Sequence, residues 1–460
     1  VDPLKTTQSS KVSSAWSLVL VLCLAMIVSV IDRFALALVI DPIRAQFGVT
    51  DQQIGALQGL AFGLFYAVLG IPCGWLADRW SRRGTILLGL VIWGCATAAC
   101  GLVHSFSGLL IARMLVGAGE AALAPAAYAI IHERFAAGKQ NAPLSVFQVG
   151  AVIGAGSSFY IVGGLYDWLK AHGGINAMGL GSLAPWQLTF LAVALPAILL
   201  IPVLWWVLGS NVRDEETTVA QNETHALSAS HGGGAFSYMK GDWKFVTTLF
   251  IGMGGILTVN YTLLSWVPTM FVREFGWTPG QVGRPYGLIV LFSCGFSMLV
   301  AGMLADRVQR KRGPTAVILI PAFGALAALP TAAFLHFAHS PLAIFCSVAV
   351  LHALCCCAVG IAPALIQTRT PKPIRSRVSS VYVLVVNICG LSISPMLVGI
   401  TVSMLPTGGG ALRTAVSIVG VGGALTSCIL FFAFILKQMR AQQALRNNFD
   451  GLQAVPQRND

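Results

Sequence analysis

Apolar runs of 19 to 30 residues, broken by short polar stretches, recur from Trp16 to Leu436. A membrane-spanning helix needs roughly 20 mostly apolar residues. The pattern predicts twelve such helices: 16–40, 52–77, 85–103, 107–132, 142–167, 186–208, 242–271, 280–305, 314–336, 341–368, 377–402 and 411–437. No stretch alternates apolar and polar positions over the length of a barrel strand, which excludes a membrane β-barrel. The first run is too long for the apolar part of a signal peptide and lacks a small-residue cleavage site, so it reads as a retained span.

Composition agrees with the pattern. Of 460 residues, 56% are hydrophobic and 10% are charged, too few charges to clothe a soluble domain of this size. The formal net charge of +12 is unevenly placed. If the N-terminus is cytoplasmic, the inside carries Lys5, Lys11, Arg79, Arg82, Arg83, Arg134, Lys139, Arg213, Lys240, Lys244, Arg307, Arg310, Lys311, Arg312, Arg369, Lys372, Arg375, Arg377, Lys437, Arg440, Arg446 and Arg458. The outside carries Arg44, Lys170, Arg273, Arg284 and Arg413. That asymmetry predicts a multi-pass protein of the cell (inner) membrane with both termini cytoplasmic, which requires an even number of spans. It explains the basic charge without a nucleic-acid partner. The eleven cysteines sit mostly inside spans, with Cys355, Cys356 and Cys357 consecutive; they read as small apolar filler and offer no metal-site spacing.

The chain repeats itself. "FGVTDQQIG" (Phe47–Gly55) matches "FGWTPGQVG" (Phe275–Gly283), and "GWLADRWSRRG" (Gly74–Gly84) matches "GMLADRVQRKRG" (Gly302–Gly313), both at an offset of 228 residues. Two matches at one offset divide the chain into parallel six-helix halves. The expected organisation is a cytoplasmic tail over 1–15, a bundle over 16–208, a polar cytoplasmic linker over 209–241, a second bundle over 242–437 and a tail over 438–460. The predicted fold class is therefore an all-α polytopic membrane protein with twelve transmembrane helices in two pseudo-symmetric six-helix bundles.

These motifs carry a resemblance. Gly74, Leu76, Ala77, Asp78, Arg79, Arg82 and Arg83, with their second copy from Gly302 through Asp306 and Arg307, resemble the loop signature of the major facilitator superfamily. Ser81 and Gln309 stand where that family usually has Gly. Asp32-Arg33-Phe34 in the first helix and "RMLVGAGEA" (Arg113–Ala121) in the fourth resemble the spinster-type lipid transporters, in a bacterial version, and also organic-anion symporters of the same superfamily. The fifth helix, "VGAVIGAGSSFY", lacks the Gly-Pro pair of drug antiporters. The resemblance implies a carrier, not an enzyme, with no cofactor. It also implies a cytoplasmic gate made of Gly74, Asp78, Arg79, Arg82, Arg83, Asp306 and Arg307. In that gate Asp78 or Asp306 pairs with nearby arginines or caps a helix of the other half when the carrier opens outward. Plain inside-anchoring charge is the alternative for the arginines.

Four ionisable residues lie deep in spans of the N-terminal half: Asp32, Arg33, Arg113 and Glu120. Each costs about 2.5–3.5 kcal/mol at a helix centre, so a functional site is the default reading. At 1.5 Å per residue Asp32 lies about 12 Å, Arg113 about 9 Å and Glu120 about 20 Å from the outer surface. Adjacent helical residues point about 100° apart, so Asp32 and Arg33 must take different partners. Asp32 is expected to engage Arg113 or another neighbour. A carboxylate that gains and loses an Arg partner during a cycle also gains and loses its reason to stay ionised, which is what proton coupling requires. These four residues are the proton-coupling candidates; a static buried ion pair between the first and fourth helices is the alternative.

The repeat sharpens the contrast. The 228 offset maps Asp32 to Asn260, Arg33 to Tyr261 and Phe34 to Thr262. The C-terminal half thus presents neutral hydrogen-bonding groups where the N-terminal half is charged. Asn260, Tyr261, Thr262, Ser265, Tyr128 and Gln148 are candidate substrate contacts, with Tyr66, His132 and Asn387 as further lining residues. His352 reads as a satisfied packing histidine. The expected protein is a monomeric, proton-coupled alternating-access transporter among membrane lipids. Its substrate is an amphipathic lipid of the lysophospholipid or sphingoid-phosphate kind, as the resemblance implies, or a small organic anion such as a sugar acid. A non-transporting receptor is the reading from another class.

Overall fold

The computed structural model describes residues 3–136, 139–172, 176–177, 181–209, 232–371, 374–406, 408 and 410–453. Most of the expected linker lies outside them, as do Arg213, Lys372 and Arg458. Twelve helices are long and apolar enough to span a membrane: α1 (Ala15–Leu38), α2 (Asp51–Arg79), α3 (Arg82–Leu102), α4 (Phe106–Arg134), α5 (Asn141–Ala171), α6 (Pro185–Gly209), α7 (Trp243–Phe275), α8 (Pro279–Arg312), α9 (Thr315–Phe337), α10 (Pro341–Arg369), α11 (Arg375–Met404) and α12 (Ala411–Arg440). An even number of spans puts both termini on one face, called the terminal face below; the other is the far face. The helix of α1 begins at Pro3, and that of α12 runs to Gln453, so helix continues into both expected tails. Gly232–Gly241 is a short helix where the composition predicted loop. The described strands are two, Asn176–Ala177 and Gly181–Ser182, paired antiparallel beyond α5.

Glycines show where the halves close on each other. On α2, a Cβ at Gly55 would lie 2.6 Å from the Pro395 carbonyl oxygen, and one at Gly59 2.1 Å from that of Ser392. On α8, a Cβ at Gly283 would lie 2.1 Å from the Phe159 carbonyl oxygen and one at Gly287 2.4 Å from that of Gly156. Backbone thus rests on backbone between α2 and α11 and between α5 and α8, an approach that any side chain would prevent. The same stripes run on toward the terminal face at Gly70 and Gly295, and there a Cβ would meet nothing within 4 Å. The halves are therefore sealed at the far face and parted at the terminal face. Both seated stretches of α2 and α11 include π-helical turns, Leu57–Leu64 and Ile388–Ile393. Such turns concentrate at functional sites.

Far-face polar contacts reinforce the seal. Arg273, ending α7, donates to both carboxylate oxygens of Asp51 at 2.7 and 3.0 Å and to Asp41 at 2.9 Å. Asp167, ending α5, accepts from the Thr278 hydroxyl and, at 3.0 Å, from the Gly280 N–H at the start of α8. Every carboxylate in this set comes from the N-terminal half and every donor from the C-terminal half.

Gly59→Val is expected to wedge α2 from α11 and favour a far-face-open state, read as a longer spin-label distance between the far ends of those helices. Gly70→Val, with open space around it, serves as the control. A Gly59→Val protein with the wild-type distance distribution sinks this assignment of the seal.

Candidate functional site

The four buried charges of the N-terminal half converge. Asp32, Arg113 and Glu120 are each 1% exposed. Two details of backbone bring them together. The α-helix of α1 ends at Ala35 and tightens to a 3₁₀ turn over Leu36–Leu38, which leaves the Arg33 carbonyl in the last helical turn without its usual partner. Arg113 Nη2 donates to that carbonyl at 3.4 Å. On α4, a Cβ at Gly117 would lie 2.4 Å from the Phe62 carbonyl, and one at Gly119 2.5 Å from the Trp93 nitrogen. These two glycines let α4 press onto α2 and α3, which carries Glu120 into reach of α1.

The pairing is crossed. Glu120 Oε2 accepts from Arg33 Nη2 at 2.7 Å and from the Ser29 hydroxyl at 2.7 Å. Asp32 Oδ1 lies 3.6 Å from Arg113 Nη1, too far for a hydrogen bond. Asp32 Oδ2 instead accepts from Trp93 Nε1 at 2.5 Å and from the Thr97 hydroxyl. The expectation that Asp32 and Arg33 take different partners is matched, and Arg113 is the cation facing Asp32. Trp93, Thr97 and Ser29 were not singled out from sequence. Trp93 and Thr97 are four apart on α3, a spacing shared with many packing pairs, so no signal distinguished them.

Aromatic faces close the site. The Arg33 guanidinium lies 4.5 Å from the Tyr66 ring centre and 5.2 Å from that of Phe62, and Arg113 lies 5.2 Å from Phe62 on its own side. Such contacts hold a cation at reduced cost. One oxygen of each carboxylate, Asp32 Oδ1 and Glu120 Oε1, has no hydrogen-bond partner, and neither do Arg33 Nε, Arg113 Nε and Arg113 Nη1. Only Arg33 keeps measurable side-chain exposure, 11% against 0% for Glu120.

The repeat becomes a contact. Tyr261 reaches the Arg33 side chain, and its ring stacks on Phe34 at 6.3 Å. Residues at equivalent positions of the two halves thus meet face to face. Asn260 bonds to His352, and Tyr128 packs edge-on against Phe147. Gln148 is exposed, while Tyr66 and Asn387 are half-buried.

Three expected lining residues lie elsewhere. Thr262 is buried against Ser394 of α11, 3.3 Å away, and Ser265 is buried further along the same helix. Thr262 thus sits where α7 packs within its own half. His132 is exposed where α4 leaves the terminal face and bonds to Gln140 at 2.8 Å.

The loop signature is at rest. Asp78 and Asp306 are exposed, and their carboxylates make no hydrogen bond or ion pair among the described residues. Arg82 pairs with Glu133, and Arg83 lies over Trp205 at 4.3 Å, both contacts within the N-terminal half. Ser81 has an extended backbone and caps α3 by accepting from the Gly84 N–H at 3.1 Å. That cap explains how the chain does without Gly at this position. Gly74 packs near Pro125 of its own half, and Arg79 stacks on Trp75.

A cavity of about 250 Å³ opens between α8 and α10 in the C-terminal half. Met298, Ala301, Ala305, Ile361, Ala364 and Leu365 form its apolar wall; Asp306, Gln309 and Thr368 are its polar members. It lies apart from the charged cluster, which belongs to the opposite half.

A family model described as Major Facilitator Superfamily matches residues 22–395. The chain belongs to that superfamily. It is 26% identical over 385 residues to an MFS-type efflux pump of Mycolicibacterium smegmatis, covering 84% of each chain. It is 27% identical to a probable L-galactonate transporter of Escherichia coli, covering 62% of this chain and 60% of that one. It is 28% identical to protein spinster of Drosophila melanogaster, covering 70% of this chain and about half (51%) of that one. The crystal structure of a bacterial homolog of the human lysosomal transporter Spinster, inward-facing and unoccupied, superposes with a TM-score of 0.73 at 23% identity. It covers 91% of this chain and 95% of that one. At that identity the likeness speaks for the fold. This superfamily and fold are those of a multi-pass membrane transporter.

Proposed function

We propose that this superfamily member is a proton-coupled carrier of an anionic amphiphile, with its terminal face cytoplasmic and its termini inside the cell (inner) membrane. The observation that carries the reading is Glu120 Oε2 held at 2.7 Å by Arg33, the one cation of the cluster whose side chain keeps partial exposure. While Glu120 is ionised, Arg33 has a full counter-ion and little attraction for an anion from solution. When Glu120 takes a proton on its unpartnered Oε1, the pair loses its charge attraction and Arg33 turns to the substrate. Proton and anion then bind together, and because their charges cancel, the halves reorient without a net charge being added to the cluster. Asp32 and Arg113 lie behind this pair as its coupled partner; the two carboxylates titrate as a set. In the outward-open state Asp78 finds a partner across the closing terminal face, as the loop signature implies, and Arg273 releases Asp41 and Asp51.

That the substrate carries a tail rests on the resemblance of Asp32-Arg33-Phe34 and Arg113–Ala121 to spinster-type lipid transporters. A second reading, symport of sugar acids, is supported by the likeness to the L-galactonate transporter. Reconstituted vesicles with an imposed pH gradient separate the two. Uptake of lysophosphatidate that collapses with the gradient is the expected result. Gradient-driven D-glucarate uptake with no lysophosphatidate binding selects the sugar-acid reading, and pH-independent transport of both sinks the proton-coupled one.

A further inference from the structure

His352 does more than fill space. It is fully buried on α10, and both its ring nitrogens are engaged: Nδ1 with Asn260 Oδ1 of α7 at 2.8 Å, and Nε2 with the Tyr286 hydroxyl of α8 at 3.2 Å. An amide oxygen only accepts, so Nδ1 must carry the proton. In a neutral ring Nε2 is then the acceptor, and the Tyr286 hydroxyl donates to it. The hydrogens therefore run one way, from Tyr286 through His352 to Asn260.

This direction fixes the Asn260 amide. With its oxygen tied inward, its NH₂ group is left over, and it makes no hydrogen bond among the described residues. Asn260 is half-buried, whereas His352 and Tyr286 are closed off, so Asn260 is the accessible member of the trio. Its neighbour Tyr261 touches Arg33. A ladder of rings ties the relay to the other half: Tyr286 to Phe159 at 4.6 Å, and Phe159 to Phe34 at 5.8 Å.

We infer that His352 and Tyr286 are positioning residues that aim the Asn260 amide NH₂ into the space between the halves, as a donor to the oxygen-rich head of the substrate that Arg33 holds from the other side. The inference rests on the anion reading above and adds to it a specificity element in the C-terminal half. Without the relay the amide can flip, and its carbonyl would then repel the same head.

The test uses the full chain in nanodiscs with lysophosphatidate and D-glucarate as anionic probes and monoacylglycerol as the uncharged one. Asn260→Asp keeps an oxygen toward His352, loses the donor and puts a negative charge in its place. His352→Gln places its amide nearer Tyr286 and abandons Asn260. Both are expected to raise the Kd of whichever anion binds by about tenfold and that of the uncharged probe by less, since a bond to a charged oxygen is the stronger one. His352→Asn, whose amide nitrogen sits where Nδ1 was, should restore binding to within about threefold. Nitrogen-15 spectra of histidine-labelled protein should show His352 neutral with its proton on Nδ1, and this readout needs no ligand. Asn260→Asp binding like wild type, or the proton on Nε2, overturns the inference. A wild-type protein that binds neither anion overturns the anion reading instead, and the spectrum still decides the direction of the relay.

Discussion

Glu120→Gln is expected to cut pH-driven accumulation of an anionic substrate at least about 100-fold while solute exchange across the same vesicles continues. The glutamine keeps an oxygen to accept from Ser29 and Arg33, so shape and packing survive. It cannot take up or release a proton, and it leaves Arg33 without a counter-ion. Breaking a buried pair in this way costs about 3–5 kcal/mol. The empty variant should therefore melt lower than wild type, and an anionic ligand should restore more of its melting temperature than it adds to the wild type. Asp32→Asn keeps an oxygen for Trp93 and Thr97 and loses only the looser 3.6 Å attraction to Arg113. It too is expected to lose the pH response of uptake. If either variant accumulates substrate normally and still follows pH, its carboxylate is not a proton carrier and the crossed pairs are structural.

Arg273→Gln is expected to release the far face. Arg273 is the one residue that gathers Asp41 and Asp51, with three hydrogen bonds from its guanidinium. Bidentate, charge-assisted bonds of this kind are the strong ones, but a side chain 21% exposed is partly screened. A loss of about 1–3 kcal/mol follows, enough to shift an inward–outward equilibrium by roughly 5- to 150-fold. Spin labels at the far ends of α2 and α7 should report a new, longer distance. Arg44→Gln is the control: Arg44 lies 3.6 Å from Asp51 and is 46% exposed, so its removal should change little. Equal distance distributions for the two variants would remove Arg273 from the seal.

Much of this architecture is legible without coordinates, for a definite reason. Span number follows from hydropathy because each helix must satisfy its own backbone in lipid, whatever its neighbours. All twelve predicted spans overlap observed ones to within a few residues at most ends. The N-terminal cluster was legible too, since a charge inside an apolar run is conspicuous in one dimension. His352 was less legible: a lone histidine on an apolar helix carries no mark of what its two nitrogens touch. The placement of Thr262 has a similar origin. Being polar on a helix that borders the central space does not say which side of that helix a residue occupies, and α7 turns Thr262 toward its own half.

The chain alone determined the twelve spans, their pairing into two halves and the positions of Asp32, Arg33, Arg113 and Glu120. It also determined that Asn260-Tyr261 stands where Asp32-Arg33 stands in the other half. Those properties are one-dimensional, set by the order of apolar and polar residues and by one repeat offset. Only the tertiary structure decided that Arg33 takes Glu120 while Asp32 takes Trp93 and Thr97, that Tyr261 meets Arg33, and that the far face is the closed one. Each of these depends on how far a helix is rotated and how closely its glycines let a neighbour approach. A single residue of rotation is about 100°, enough to exchange one partner for another without changing the hydropathy of the span.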